Sequence, residues 1–358
     1  MRFVLKTNYG RDIDIFKHRA HAGWYVLLVG ILLVAPLVLD VFYEKQLTEL
    51  FIWAIAGAGL MLLVGYSGLV SLGHVAFMAL GAYAHAILYA RGWPLVLSIP
   101  ASALITGGVG VLIGVASLRM TGIYLAIATL AFAMIVEKVI AHWPALTGGH
   151  SGFRVGDPTL FGLSLESSTA YYYTCLFVLV LVFFGVINLL RSPTGRSFVA
   201  VRDSEVSAQA MGVSLLQTKT LAFALSAGLT GLAGALYAHR IGFLFPDAFT
   251  IMTSIMLLML VVVGGLGSLH GVVFGAFFIT IVPQIIAIVR DWLPQGIAQS
   301  GGLEPLVFGG VLILFLVFEP LGFYGRWAKI RLFFSQFPLY RKKTFLRQKS
   351  YLKTERVH

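Results

Sequence analysis

The chain has 358 residues, of which 58% are hydrophobic and only 11% charged, and its mean hydropathy is +0.89. That leaves too little polar surface to cover a soluble globule, so the chain belongs in a bilayer and an ordinary soluble enzyme is excluded. The formal charge of +11 does not point to nucleic acid, because the bases gather at the two termini and in one loop rather than along a face interleaved with aromatics.

In chain order, residues 1–23 are polar and basic, with no small-residue cleavage site after the first apolar run, so a retained first span is expected rather than a cleaved signal peptide. Ten apolar runs follow, at 24–41, 47–65, 74–90, 95–116, 122–140, 170–190, 218–238, 251–263, 271–289 and 303–321. A helix rising about 1.5 Å per residue needs roughly twenty residues to cross about 30 Å of hydrocarbon, which is the length of most of these runs. The expected fold is therefore all-α and polytopic, with about ten transmembrane helices. Three parts are predicted: a cytoplasmic segment 1–23, a membrane domain 24–325 with a polar loop at 191–217, and a basic cytoplasmic tail 326–358. With the N-terminus inside, twenty of the 26 Lys and Arg residues fall on the inner side, which places both termini and the 191–217 loop in the cytoplasm. The largest outer segment is then 142–169.

Two glycine-rich stretches interrupt the apolar pattern and resemble one another. GYSGLVSLGH at 65–74 follows the second span and GGLGSLHG at 264–271 follows the eighth, each leading into an apolar run with Phe77 or Phe274. They form an internal pseudo-repeat. Unwound backbone at membrane depth must be buried in protein or line a wet cavity, and paired breaks in matching halves mark a transport path. On that reading Tyr66, Ser67, Gly68, Ser71, Gly264, Gly265, Gly267 and Ser268 line the translocation path. The other reading is a pair of tight turns at the membrane face, with glycine supplying positive φ. Small residues also recur within spans: Ala227, Gly231 and Ala235 with Gly228 and Gly234 beside them, Gly110 with Gly114, and Gly271 with Gly275, a pattern that lets helix backbones approach closely.

The segment 191–212, RSPTGRSFVAVRDSEVSAQAMG, is the longest polar stretch between apolar blocks. Ser192-Pro193-Thr194-Gly195 ends the helix arriving from the membrane. Asp203 or Ser204 can then cap a short helix that stops at Gly212. Such a helix, about nine residues and 13 Å long, is not stable alone in water and needs a surface to lie against. Glu205, Ala208 and Gly212 share one face, with Val206 and Met211 as apolar contacts, and that face suits a cleft on another protein. The plainer reading is a basic loop whose Arg191, Arg196 and Arg202 anchor topology.

Chemistry of other kinds is missing from the sequence. There is no Walker A segment, no His-Glu-x-x-His and no Cys/His cluster, so no catalytic residue and no metal site is expected. Cys175 is the single cysteine. Asp40, Glu49, Glu137, Asp247, Asp291, Glu304 and Glu319 sit near span ends, where an ion-coupled carrier would keep one deep inside. Glu137 and Lys138, near the outer end of the fifth run, can pair or snorkel, and His85 reads as a hydrogen-bonded core residue rather than a proton relay. A solute mover without a fuel site must draw its energy from a partner, and the 191–212 handle offers the route.

At this point the residues resemble a known family. RDSEVSAQAMGV at 202–213 resembles the cytoplasmic signature of branched-chain amino acid ABC transporter permeases, the LivH/LivM family, and within it the LivM type. RSPTGR at 191–196, TGIYLAIATLAF at 121–132, TGGHSG at 147–152, EPLG at 319–322 and the 65–74 break extend the similarity over roughly 47–326. The resemblance implies an importer of the bacterial inner membrane with a second, LivH-like permease subunit, two cytoplasmic LivG/LivF-like ABC ATPases and an extracytoplasmic substrate-binding protein. ATP and Mg would sit on the ATPases, with no cofactor on this chain. It also implies that the handle is the coupling helix, with Arg202, Asp203, Ser204, Glu205, Ala208, Gln209, Met211 and Gly212 as the ATPase-coupling residues. One departure is visible, since the Glu-Ala-Ala triplet of the wider importer motif reads Glu205-Val206-Ser207 here. Branched-chain or related amino acids are the expected solutes, with urea, short amides and aromatic acids as the alternatives within the family and a stand-alone secondary carrier as the alternative outside it. Thr147-Gly148-Gly149 is either a backbone nest for a carboxylate or an external turn.

Overall fold

A computed structural model of the chain describes residues 19–120, 122–160, 163–164, 167–290, 303–319 and 322–336. Residues 1–18 and 337–358, with Phe337, Tyr340 and Arg341-Lys342-Lys343 of the tail, lie outside the described residues, as do Thr121, Asp291, Pro320 and Leu321.

The helices are α1 (Arg19–Val38), α2 (Val41–Met61), α3 (Val75–Ala90), α4 (Leu95–Ala116), α5 (Ile123–Ala141), α6 (Pro144–Thr147), α7 (Ser168–Arg191), α8 (Pro193–Asp203), α9 (Glu205–Ala210), α10 (Leu215–Ile241), α11 (Ile251–Gly264), α12 (Leu269–Arg290), α13 (Leu303–Phe318) and α14 (Gly322–Gln336). A π-helical turn, Leu62–Tyr66, prolongs α2. Among the described residues seven stretches are long and apolar enough to cross a bilayer: Val41–Tyr66, Leu95–Arg119, Ile123–Ala141, Ser168–Arg191, Leu215–Ile241, Pro246–Gly264 and Leu269–Ile288. Three shorter apolar helices, Gly23–Val38, Val75–Ala90 and Pro305–Phe315, coincide with the remaining predicted runs. The all-α polytopic class therefore holds for the described residues, with one addition. Two pairs of two-residue strands occur on the side opposite the 191–217 loop, and one of them sets Phe153 beside Leu244 and Arg154 beside Phe243.

α2 and α10 form the centre. α10 packs on α4, α3 and α2, while α2 also meets α7 and α12. The small residues of the sequence make this closeness possible. A Cβ on Gly81 of α3 would overlap the backbone of Gly231, one on Gly234 would overlap Met78 O, and one on Gly110 of α4 would lie 2.7 Å from Phe223 O. Such contacts bring backbone against backbone, which supplies dispersion where lipid gives no hydrophobic drive. Outward positions of the peripheral helices carry exposed Trp24, Leu37, Leu104, Phe177 and Leu314, an apolar surface that suits a hydrocarbon solvent.

Candidate functional site

Residues 191–217 fold as three capped pieces rather than as a breaker followed by one helix. Ser192 leaves the helical region, and its hydroxyl accepts from Gly195 N–H while Pro193 takes the first helical position. The helix arriving from the membrane does end at Arg191, as expected, but the same combination also starts a helix, so 193–203 forms α8, eleven residues long, which the sequence reading did not foresee. Phe198 and Val201 bury its inner face. Ser204 then caps α9 through Ser207 N–H at 3.2 Å, as its residue type predicts. At the other end Val213 N–H donates to Ala208 O and Gly212 N–H to Gln209 O, both at 3.0 Å, with Gly212 at φ +87°. This double bond pattern needs a left-handed residue, which is why the helix stops at a glycine. α9 is six residues long, shorter than the predicted nine.

The orientation of α9 corrects the expected docking face. Ala208 is 3% exposed and packs inward, and Glu205 accepts from Lys219 Nζ at 2.8 Å. Lys219 is 2% exposed, so its ammonium needs this carboxylate. The Glu205 and Ala208 face therefore lies against this chain. Val206 and Met211, 80% and 86% exposed, look away from it together with Gln209 and Ala210.

The handle is fastened to the first glycine break, which packs against the second. Arg202 donates from Nη1 to Gly65 O at 3.0 Å and from Nε and Nη2 to Asp203 Oδ1 at 3.0 and 2.9 Å. A Cβ on Gly68 would crowd Arg202, with its Cγ 2.8 Å away. Gly267 lies against Gly65, where an added Cβ would come within 2.8 Å of Gly267 N, and Gly267 N–H points at Met61 Sδ at 3.2 Å. Thus the two halves of the pseudo-repeat meet at Gly65 and Gly267, beneath Arg202.

The first break is stitched by side chains from three other helices. Thr129 of α5 accepts from Leu72 N–H at 3.1 Å, and Ser254 of α11 from Val75 N–H at 3.3 Å. His74 is enclosed between Ser71 Oγ at 3.1 Å and Ser226 Oγ of α10 at 2.7 Å. Ser226 spends its own proton on Gly59 O at 2.6 Å, so His74 Nε2 carries the hydrogen and Nδ1 accepts from Ser71. Ser67 donates to Leu63 O at 2.7 Å, a carbonyl that also accepts from Leu69 N–H at 3.1 Å, so the end of the π turn is closed from both sides. In the second break Gly264 and Gly265 are buried, Ser268 accepts from Gly271 N–H at 3.4 Å, and Gly265 and Gly267 take φ of +118° and +78°. Tyr66 and Gly267 are half-buried, Ser67, Ser71 and Ser268 are buried, and Gly68 is exposed. The breaks follow full-length helices, about 39 Å for the 26 residues of Val41–Tyr66, and so lie at helix ends.

Sequence reasoning missed Ser226, Thr129, Ser254 and Lys219. Their signal was a polar residue inside an apolar run. Elsewhere, His85 is buried with its Nε2 2.8 Å from His239 Nε2, and Lys138 stands 3.6 Å from Glu137. Thr147 accepts from Gly149 N–H at 3.2 Å and donates to Ile140 O and Trp143 O, so that glycine pair is a self-satisfied turn. Arg240 donates to Glu49 at 3.2 Å, a pairing not anticipated. Among the described residues no group of three metal-ligating side chains occurs.

Comparison with known proteins fits this arrangement. The family described as "Branched-chain amino acid transport system / permease component" matches residues 42–316. The chain is 33% identical to the high-affinity branched-chain amino acid transport system permease protein LivM of Salmonella typhimurium, over 77% of this chain and 68% of the relative, and identical figures hold for LivM of Escherichia coli. It is 32% identical to the autoinducer 2 import system permease protein LsrC of an Enterobacter species, over 61% of this chain and 63% of that one. No solved structure matches. With a match across more than three quarters of its length, and with the handle and both breaks inside it, the chain belongs to the family of branched-chain amino acid transport system permease components.

Proposed function

We propose that this permease component is the membrane subunit of an ABC importer in the bacterial inner membrane, and that it forms the path for branched-chain or related amino acids. All ten apolar helices cross, both termini and residues 191–217 are cytoplasmic, and the outward face of α9 docks on an ATPase. A LivH-like second permease, two LivG/LivF-like ATPases carrying ATP and Mg, and an extracytoplasmic binding protein complete the machine. The observation that supports this most is Arg202, which ties the handle to Gly65 where the two breaks touch. A pull or push on α9 reaches both halves of the repeat through that contact. On this reading the residues from Tyr66 to Ser71 and from Gly264 to Ser268 act as the moving inner end of the path, and Arg202, Asp203 and Ser204 set the posture of α9. Orientation is supported by Arg191, Arg196, Arg202, Arg326 and Lys329 on one side, and by Tyr25 near the start of α1, whose hydroxyl lies 2.6 Å from His270 Nε2 at the start of α12.

Proteoliposomes holding the assembled transporter and its binding protein test the proposal. Leucine uptake should require ATP and persist after ion gradients are collapsed, with unlabelled isoleucine and valine competing better than urea or acetamide. Accumulation by the purified chain alone would overturn it.

A further inference from the structure

The end of α2 holds two hydrogen-bond registers within reach of one another. In a continuous α-helix Leu69 N–H would donate four residues back, to Gly65 O. Here it passes that carbonyl and donates to Leu63 O at 3.1 Å, six residues back, where Ser67 Oγ also donates at 2.7 Å. The π turn Leu62–Tyr66 makes the offset possible, because an N–H in such a turn reaches five residues back rather than four. Gly65 O is thereby left to an outside donor, and Arg202 Nη1 takes it at 3.0 Å. Arg202 and Leu69 N–H are thus alternative donors to one carbonyl. Gly68 lies between them in the chain at φ +71°, which ends the helix, and as a glycine it adopts the negative φ of a continued helix just as readily.

We propose that residues 62–69 are a two-register switch set by the handle. While Arg202 sits on Gly65 O, the π register holds and Leu69 N–H stays on Leu63 O. When α9 is drawn away, Leu69 N–H takes Gly65 O, Ser67 N–H takes Leu63 O, and the stretch closes as α-helix. Both carbonyls keep a donor in either register, so the exchange leaves neither orphaned and the two states stay close in free energy. The slip is one residue, about 1.5 Å along the axis and about 100° around it, which at a Cα radius of about 2.3 Å carries Gly68 about 4 Å. Met61 precedes the turn and holds Gly267 N–H at 3.2 Å, whereas Gly65 lies inside the turn, so the slip draws Gly65 off Gly267 and parts the two breaks. The proposal rests on α9 being the handle of the machine, as read above, and specifies how its motion reaches the path.

Spin labels on Val70→Cys and Leu104→Cys, in a Cys175→Ala background with the full chain in lipid nanodiscs, read the register from the distance between them. Arg202→Ala and Arg202→Gln should each move the population to a second distance, displaced by up to about 4 Å. Gly68→Ala disfavours positive φ and should give that second distance with Arg202 intact. Gly68→Asn adds a Cβ as well but tolerates the left-handed region, so it should stay mostly at the first distance. The thermal midpoint of each variant checks that it is folded. An unshifted distance in a folded Arg202 variant would overturn the switch. So would equal responses of Gly68→Ala and Gly68→Asn, which would show that bulk beside Arg202 matters and backbone conformation does not. Neither solute nor ATPase enters this measurement, so a failed switch is told apart from a failed transport assignment.

Discussion

The guanidinium of Arg202 donates to the carbonyl oxygen of Gly65 at 3.0 Å, joining residues 137 apart in sequence, and the same carbonyl belongs to the turn against which Gly267 packs. A handle, a first break and a second break are thereby one connected body. Arg202→Ala removes a bond from a charged donor, worth about 1.5 kcal/mol at the low end for a partly exposed group. The expected result is a loss of ATP-driven uptake of at least about tenfold, with membrane insertion unchanged and the thermal midpoint lowered by only about a few degrees. Uptake within about twofold of the unmodified transporter would refute the linkage.

Changes on the two faces of α9 should separate folding from docking. Glu205→Gln leaves the buried Lys219 ammonium without its carboxylate and should destabilise the chain by about 3 kcal/mol, toward the low end for a broken buried pair because Glu205 is 38% exposed. Val206 and Met211 are 80% and 86% exposed, so Val206→Asp and Met211→Asp should leave stability nearly unchanged while co-purification of the ATPases falls. Equal loss of stability in all three variants would remove the distinction.

At the α3 and α10 crossing the contact is backbone to backbone. Gly81→Ala or Gly234→Ala should each lower stability by about 1 to 3 kcal/mol, because the added methyl meets Gly231 or Met78 main-chain atoms that cannot move aside. Gly108→Ala meets nothing within 4 Å and should be close to neutral. Thermal unfolding in detergent ranks the three.

His74 joins the first break to α10 through Ser226. His74→Phe keeps the ring volume but abandons Ser71 and leaves Ser226 without its donor, at a cost of about 1 to 3 kcal/mol. His74→Gln, which can still donate toward Ser226, should recover part of that stability. If Phe and Gln behaved alike, the hydrogen bonds would not be what holds the break.

The places of the spans were legible in the sequence because hydrophobic length is a local quantity set by bilayer thickness: the predicted 95–116 run is α4 itself, and nine others fall within a few residues of an apolar helix. Capping was also local, so Asp203-Ser204 and Gly212 marked the ends of α9 from their residue types, and the structure places the cap on Ser204. The start of α8 carried the same kind of signal in Ser192-Pro193, and the breaker reading overlooked that proline is welcome in a first turn. What no local signal contained was direction. Whether Glu205 faced a partner or its own chain depended on Lys219 fourteen residues on, and the meeting of Gly65 with Gly267 depended on how α2, α11 and α12 pack. A helical face is fixed by its sequence only up to rotation about the axis and the choice of neighbour, and tertiary packing decides both.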